Sequence, residues 1–146
     1  MMTLDDILRT KGADVFKTTP DTTLHEVVDQ LVARNCGSLV VCDPDQPTRM
    51  VGIITERDIL RACRAGRKSL DHVMTGDAMS TDVVTAAPDD SVEKIMGMMT
   101  QNRIRHMPVV DGDGQLAGMI SIGDVVKAQH DLLTVENHYL KNYIQG

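Results

Sequence analysis

The chain has 146 residues and a formal net charge of −6, and 42% of its residues are hydrophobic while only 2% are aromatic. This length accommodates one domain or two small ones, and the apolar content is that of a globular protein. The acidic balance argues against a protein that binds nucleic acid in general or a membrane surface, and the scarcity of aromatic rings argues against base stacking.

An internal repeat organises the chain. Residues 15–43 align with residues 83–111, and residues 52–58 align with residues 118–124 after a short deletion in the intervening loop. Apolar residues also recur at matching positions between the identities. Two copies of one supersecondary unit explain this agreement better than chance does.

Each copy is predicted to be a β-α-β-β-α unit. An extended stretch runs into a Pro-Asp pair, which is a helix-start signal, and the following helix has apolar residues at a 3.6-residue period. Two short apolar strands joined by a turn-rich loop come next, and a second helix opens with Thr55 or Ser121 as its N-cap. The strands are predicted at residues 15–18, 38–42 and 50–54 in the first copy and at 83–86, 106–110 and 116–120 in the second.

The two copies are expected to form one module, because a unit of about 60 residues is marginally stable alone. We predict an α/β (α+β) fold in which the repeats pack around a pseudo-twofold axis and share one core. The predicted bounds are residues 4–66 for the first repeat, 76–131 for the second and 132–144 for a C-terminal amphipathic helix. Residues 64–75 are predicted to be the linker, with residues 77–80 leading into the second repeat.

A signature of the form Gly-hydrophobic-x-Thr/Ser-x-x-Asp occurs once in each copy, at residues 52–58 and 118–124. This signature makes each copy resemble a CBS domain, and the Arg105-His106-Met107-Pro108 strand of the second copy also matches that family. The pair resembles a stand-alone CBS-pair (Bateman) module over almost the whole chain. Such modules are regulatory and commonly bind adenosine-containing ligands such as AMP, ADP, ATP, NAD or S-adenosylmethionine, so AMP is the ligand most expected here and no cofactor is required.

The residue types of the signature suit this chemistry. A Thr55 or Ser121 hydroxyl beside the free amides of a helix N-terminus can contact a phosphate or a ribose. A carboxylate one turn on, Asp58 or Asp124, can accept hydrogen bonds from both ribose hydroxyls. A purely structural interpretation is that Thr/Ser is an N-cap and Asp complements the helix dipole.

The resemblance implies two composite clefts, each built from both repeats. The first cleft would combine Thr55, Glu56, Arg57 and Asp58 with Thr85, Arg105, His106, Met107 and Pro108. The second cleft would combine Ser121, Ile122, Gly123 and Asp124 with Lys17, Thr18, Ser38 and Leu39. They are not equivalent, since Arg105 and His106 offer positive charge to a phosphate in the first. In the second, Gly37-Ser38 replaces that pair, and Lys17 could still offer a point charge. The second is expected to be empty or to take a ligand that depends less on phosphate contacts.

A ligand-independent scaffold and an enzyme are the two other classes of function to compare. A ligand-independent scaffold needs only association, and CBS pairs often form homodimers that act on a protein target encoded elsewhere. Catalysis is not expected, since no nucleophile–base pair is evident and the five histidines lack metal-ligand spacing. The basic run Arg61, Arg64, Arg67 and Lys68 is interpreted as a solvated helix end rather than as a phosphate or partner contact.

The cysteines and the hydropathy pattern favour the cytoplasm. Cys36, Cys42 and Cys63 lack the spacing of a metal site or a disulfide framework, which favours reduced thiols. The start of the chain is acidic where a signal peptide would be basic. No segment approaches the roughly 20 consecutive apolar residues of a membrane span.

Overall fold

The structure is a computed structural model that describes residues 1–66 and 69–145, so Arg67 and Lys68 of the basic run lie outside the described residues. Over the described part, the first repeat follows the predicted β-α-β-β-α order, and the second follows it except for its first strand. The predicted fold class is confirmed: a mixed α/β fold with two small sheets and a helix at its C-terminal end.

The first repeat forms a three-stranded sheet in which β1 pairs parallel with β2 and β2 pairs antiparallel with β3. Thr23 and Thr55 begin its two helices, each through a capping box in which the threonine hydroxyl and a carboxylate three residues on satisfy two free backbone amides. These helices therefore start where the sequence predicts. The elements are β1 (Lys17–Thr18), α2 (Leu24–Arg34), β2 (Ser38–Cys42), β3 (Met50–Thr55) and α3 (Glu56–Ala65).

The second repeat copies this arrangement around an antiparallel pair of strands. The equivalent residues Asn35 and Arg103 end the first helix of each repeat, and both adopt the left-handed conformation, with φ of 49° and 55°. The elements of the second repeat are α5 (Val92–Asn102), β4 (His106–Val110), β5 (Leu116–Ser121) and α6 (Ile122–Gln145).

The strand predicted at residues 83–86 is reduced to a single bridge, in which Ala86 pairs with Val109. In the first repeat, the Val40 N–H donates to the carbonyl of Phe16 at 3.1 Å. Pro108 stands at the position equivalent to Val40 and has no N–H to donate, so the parallel pairing of the second repeat is cut short.

Two leading helices, α1 (Leu4–Lys11) and α4 (Thr75–Ala78), are exchanged between the repeats. The Leu4 N–H donates to the carbonyl of Asp90 at 3.0 Å, so α1 docks on the second repeat. The Thr75 N–H donates to the carbonyl of Thr22 at 2.8 Å, so α4 docks on the first. The sequence interpretation did not include α1, and it treated the α4 region only as a lead into the second repeat.

The buried apolar residues form two clusters, so the prediction of one shared core is wrong. The cluster of the second repeat includes Leu4 and Leu8 of α1. The cluster of the first repeat is covered by Ala78 and Met79, at the end of α4. Each core is thus completed by the leading helix that precedes the other repeat in the chain, and this exchange holds the two repeats together.

The predicted C-terminal helix is confirmed and is continuous with the second helix of the second repeat. Helix α6 spans 24 residues, about 36 Å at 1.5 Å per residue. Every residue from Asp131 to Ile144 is exposed, so the end of α6 extends beyond the packed module. Among the described residues, no helix combines the length and apolar character that a membrane span requires.

Candidate functional site

The Asp58 carboxylate lies at the N-terminus of α3 and is almost completely buried, with 5% of the residue exposed. Its Oδ2 accepts hydrogen bonds from the N–H and the hydroxyl of Thr55, both at 3.0 Å. Its Oδ1 accepts from the Ser80 hydroxyl at 2.9 Å. The exposed Arg61 guanidinium lies 3.8 Å from Oδ1. Asp58 is thus held in one orientation by neutral donors, with a cation near it.

A cavity of about 450 Å³ opens beside Asp58. It lies between α3 and the segment leading to α4, and its lining includes Asp58, Arg61, Asp77 and Ala78. Buried Asp58 therefore retains an open, partly charged space next to it.

Asp124 occupies the equivalent position at the start of α6, but a lysine contacts it. Its Oδ2 accepts from the Ser121 N–H at 2.8 Å and from the Lys11 ammonium at 2.7 Å. Lys11 also donates to the carbonyl of Met119 at 2.9 Å. Partial burial acts to raise the pKa of Asp124, but the bonds from Lys11 and Ser121 outweigh it and hold that pKa below its ordinary value.

The structure brings the start of α3 next to the start of β4 in the other repeat. Both Glu56 and His106 lie against Gly37: a Cβ atom there would be 3.4 Å from Glu56 Oε1 and 3.8 Å from His106 Cε1. Part of the predicted first cleft, the Glu56 side and the His106 side, is therefore assembled across the two repeats. Arg57, Thr85 and Arg105 are exposed.

The surroundings of His106 favour its neutral form. Burial is the main cause that lowers the pKa of His106. Lys11 and Arg105 lower it further, while Asp124 and Glu56 oppose them. A neutral imidazole here gains a proton when an anion arrives, because a negative charge favours the imidazolium form.

Several predicted residues contribute no side chain to a cleft. Met107 and Leu39 are completely buried, each in the core of its own repeat. Thr18 is buried as well, and its hydroxyl pairs with that of Thr22 at 2.7 Å. At these positions only the backbone is available to a ligand, as the alternation of side chains along a strand requires.

Apart from Ser121, the residues predicted for the second cleft make no side-chain hydrogen bond to Asp124 in the described part of the chain. The Lys17 ammonium donates to the carbonyl of Pro47 at 3.3 Å, in the hairpin of its own repeat. Ser38 is buried, whereas Ile122 and Gly123 are exposed. Pro108, which was predicted for the first cleft, is buried as well. The sequence interpretation missed Lys11, the residue that does reach Asp124, because its only local signal is a basic residue in the last turn of α1.

A comparison with known families matches the same two repeats that carry the signature. The CBS domain family matches residues 4–65 and 75–131. The chain belongs to the CBS domain family. As a CBS pair, it carries both Thr/Ser-x-x-Asp segments at equivalent strand-to-helix junctions, as the repeat predicted.

Related CBS proteins share both sequence and fold with this chain. It is 37% identical, over 99% of its length and 72% of the relative's, to the mitochondrial CBS domain-containing protein CBSX3 of Arabidopsis thaliana. A CBS-domain protein of Agrobacterium tumefaciens has 38% identity and a TM-score of 0.79, covering 88% of this chain and 99% of that one. A CBS domain protein of Pyrobaculum aerophilum, complexed with AMP, has 30% identity and a TM-score of 0.74, covering 84% and 89%.

Proposed function

We propose that this CBS pair is a regulatory module that binds AMP in the first cleft, where the start of α3 meets the start of β4. The observation that carries the proposal is the approach of Glu56 and His106 to Gly37, because it brings side chains of both repeats together at one place. A ligand that contacts both repeats stabilises one relative arrangement of them, and a partner can recognise that arrangement.

The roles of the ribose- and phosphate-binding residues follow from their chemistry. Asp58 accepts hydrogen bonds from the ribose hydroxyls, and Thr55 contacts the sugar or the phosphate with its hydroxyl. Arg57, Arg105 and His106 supply the positive charge for the phosphate, the two arginines being exposed and His106 half-buried. Thr85 adds a hydroxyl from the other wall of the cleft.

Backbone groups hold the adenine in this proposal. Since Pro108 has no N–H, the Val84 carbonyl lacks the donor that Val40 gives to Phe16 in the first repeat. The exocyclic amino group of adenine can donate to the Val84 carbonyl. The backbone of Met107, which precedes Pro108 in β4, is available for a second hydrogen bond. This arrangement favours adenine over hypoxanthine, whose 6-oxo group is an acceptor and leaves the carbonyl unpaired.

The relatives support a nucleotide ligand. The Pyrobaculum aerophilum protein, at 30% identity, was crystallised with AMP. No catalytic residue is assigned: the proposed role is binding and signalling. Of the described residues, none form a His, Cys, Asp and Glu group suited to a metal ion. The three cysteines are unpaired, which is consistent with a reducing compartment such as the cytoplasm.

A homodimer is the second part of the proposal. Leu60 on α3 and Val126 on α6 occupy equivalent positions in the two repeats, with 68% and 56% of each residue exposed. Exposed aliphatic side chains related by the pseudo-twofold axis suit a face that pairs with its own copy. Dimer geometry then transmits ligand occupancy to a protein target, which the sequence does not identify.

Calorimetry and thermal unfolding test the proposal. AMP is expected to bind with a measurable heat and to raise Tm, whereas inosine monophosphate, which differs at the 6-position, is expected to do so less. ATP, NAD and S-adenosylmethionine complete the series. Absence of binding and of stabilisation by all of the adenosine ligands at millimolar concentration would reject the sensor. A dimer that persists unchanged in that case would favour a ligand-independent scaffold.

A further inference from the structure

The two signature carboxylates are approached by different kinds of donor. At Asp58 the donors within 3.0 Å are a backbone N–H and two neutral hydroxyls, from Thr55 and Ser80. At Asp124, an ammonium replaces the hydroxyls as the second donor to Oδ2, since Lys11 lies 2.7 Å away. The second repeat thus has a covalently attached cation on the carboxylate that is equivalent to Asp58.

This difference comes from the leading helices. Helix α1 has 8 residues and carries Lys11 in its last turn, whereas α4 has only 4 residues. The longer helix extends from the core of the second repeat as far as Asp124. The shorter one brings no lysine to Asp58, which receives only the neutral Ser80 hydroxyl from the segment after α4 and lines the cavity of about 450 Å³.

We propose that Lys11 determines which cleft binds nucleotide, by occupying the ribose acceptor of the second cleft. This inference rests on the proposed function and adds its site selectivity. Oδ2 of Asp58 and Oδ2 of Asp124 each accept two hydrogen bonds, so the two sites differ in the kind of donor that a ribose diol must displace. The hydroxyls at Asp58 can rotate away to admit a ligand, whereas a ligand at Asp124 must separate the carboxylate from the Lys11 ammonium, an opposite charge 2.7 Å away, which costs more. The first cleft therefore fills alone.

Lys11 is held in place independently of Asp124. Its ammonium also donates to the carbonyl of Met119 at 2.9 Å. Its helix is anchored by Leu4 and Leu8, which are 0% and 6% exposed in the core of the second repeat. Removing the lysine side chain therefore leaves α1 docked, so a Lys11 variant tests occupancy of the carboxylate rather than folding of the module.

Titration calorimetry with AMP tests this by stoichiometry. Wild type is expected to bind about one AMP per chain, and Lys11→Met about two. Lys11→Gln, which is also neutral and more polar, serves as a second variant should the methionine variant fold poorly. Arg9→Met is the matched control, since Arg9 lies on the same helix, is exposed and pairs with Asp5, at 2.7 Å, rather than with Asp124. Lys11→Met/Asp124→Ala is expected to lose the added site.

The outcomes separate this inference from the proposed function. An added site in the Lys11 variants that depends on Asp124 supports it, even if wild type binds no AMP. One site in wild type and one in every Lys11 variant overturns it and leaves the proposed function intact. No AMP bound by any protein rejects both. Weaker binding at an unchanged stoichiometry also overturns it, because Lys11 would then be a contact to the ligand.

Discussion

Leu8 of the first helix packs against Gly118 of the second repeat, although the two are far apart in sequence. A Cβ atom at Gly118 would lie 2.6 Å from Leu8 Cδ2, a distance that real Cβ atoms do not show. The three nearest atoms all belong to the Leu8 side chain. The glycine of the second signature is therefore required by the docking of α1 in addition to any role near a ligand.

A double-mutant cycle at this contact tests the exchange of leading helices. Gly118→Ala is expected to destabilise the protein by overpacking, and Leu8→Ala by about 2–5 kcal/mol through loss of core packing. In the double variant, the alanine at position 118 occupies space that Leu8 has vacated. The double variant is therefore expected to lose less stability than the sum of the losses of the two single variants. Free energies of unfolding from urea titrations provide the measurement. Additive losses would show that α1 docks elsewhere.

The equivalent glycine of the first repeat provides a contrasting case. A Cβ atom at Gly52 would lie 2.8 Å from Met79 Sδ and also 2.8 Å from the backbone oxygen of Ser80. Met79→Ala is therefore not expected to rescue Gly52→Ala, because the backbone clash persists. Gly97→Ala is the control without a clash: a Cβ atom there would contact no other part of the described chain within 4 Å, and the substitution is expected to stabilise α5 by about 1 kcal/mol.

Asparagine substitutions at the two signature carboxylates are expected to have unequal effects on AMP binding. Asp58→Asn keeps the size of the side chain but removes the negative charge that accepts the ribose hydroxyls. We expect affinity to fall by about 10- to 100-fold, the range for a hydrogen bond to a charged group. Asp124→Asn, in the cleft that Lys11 occupies, is expected to change AMP affinity less than threefold. Calorimetry on both variants decides, and equal losses would contradict the assignment of the first cleft.

AMP binding is expected to take up a proton at His106. The pKa of His106 is lowered in the free protein, so the imidazole is mostly neutral at pH 7, and a bound phosphate would raise that pKa. Affinity should therefore rise as the pH falls from about 8 towards 6.5. Protonation of the AMP phosphate, near pH 6, acts in the opposite direction and equally in every variant.

His106→Gln isolates this contribution. The glutamine variant is expected to lose the rise in affinity at lower pH, and the dependence of its calorimetric heat on the ionisation enthalpy of the buffer should fall to the part that the AMP phosphate contributes. Identical pH profiles for wild type and His106→Gln would show that His106 does not face the phosphate.

Charges placed on the proposed dimer face are expected to produce monomers. Leu60→Glu and Val126→Glu each introduce a carboxylate on that face. In a homodimer both chains carry the substitution, so two negative charges would be buried at the interface. Val32→Glu is the control, since Val32 is also exposed, at 76%, but lies on α2. Light scattering coupled to gel filtration measures the mass. A monomeric wild type, or dimers in all of the variants, would contradict the proposed face.

The sequence predicted the elements well because their signals are local. The Thr55–Asp58 capping box lies within four residues, and strands at Ser38–Cys42 and His106–Val110 begin and end where predicted. The strand at 83–86 was overestimated because pairing depends on the neighbouring strand. Pro108 on the neighbouring strand has no N–H to donate, and an alignment of the two repeats does not show the loss of one donor.

The sequence by itself determined that the chain holds two CBS repeats, which residues begin their helices, and that Asp58 and Asp124 follow equivalent strands. Helix periodicity and capping depend on residues a few positions apart, and the repeat is visible by aligning the chain with itself. Only the tertiary structure decided which sheet each leading helix covers, so the expected single core became two. It also decided that Lys11 lies 2.7 Å from Asp124, 113 positions away in the chain. Such contacts depend on where whole elements pack, and no spacing within one element encodes them.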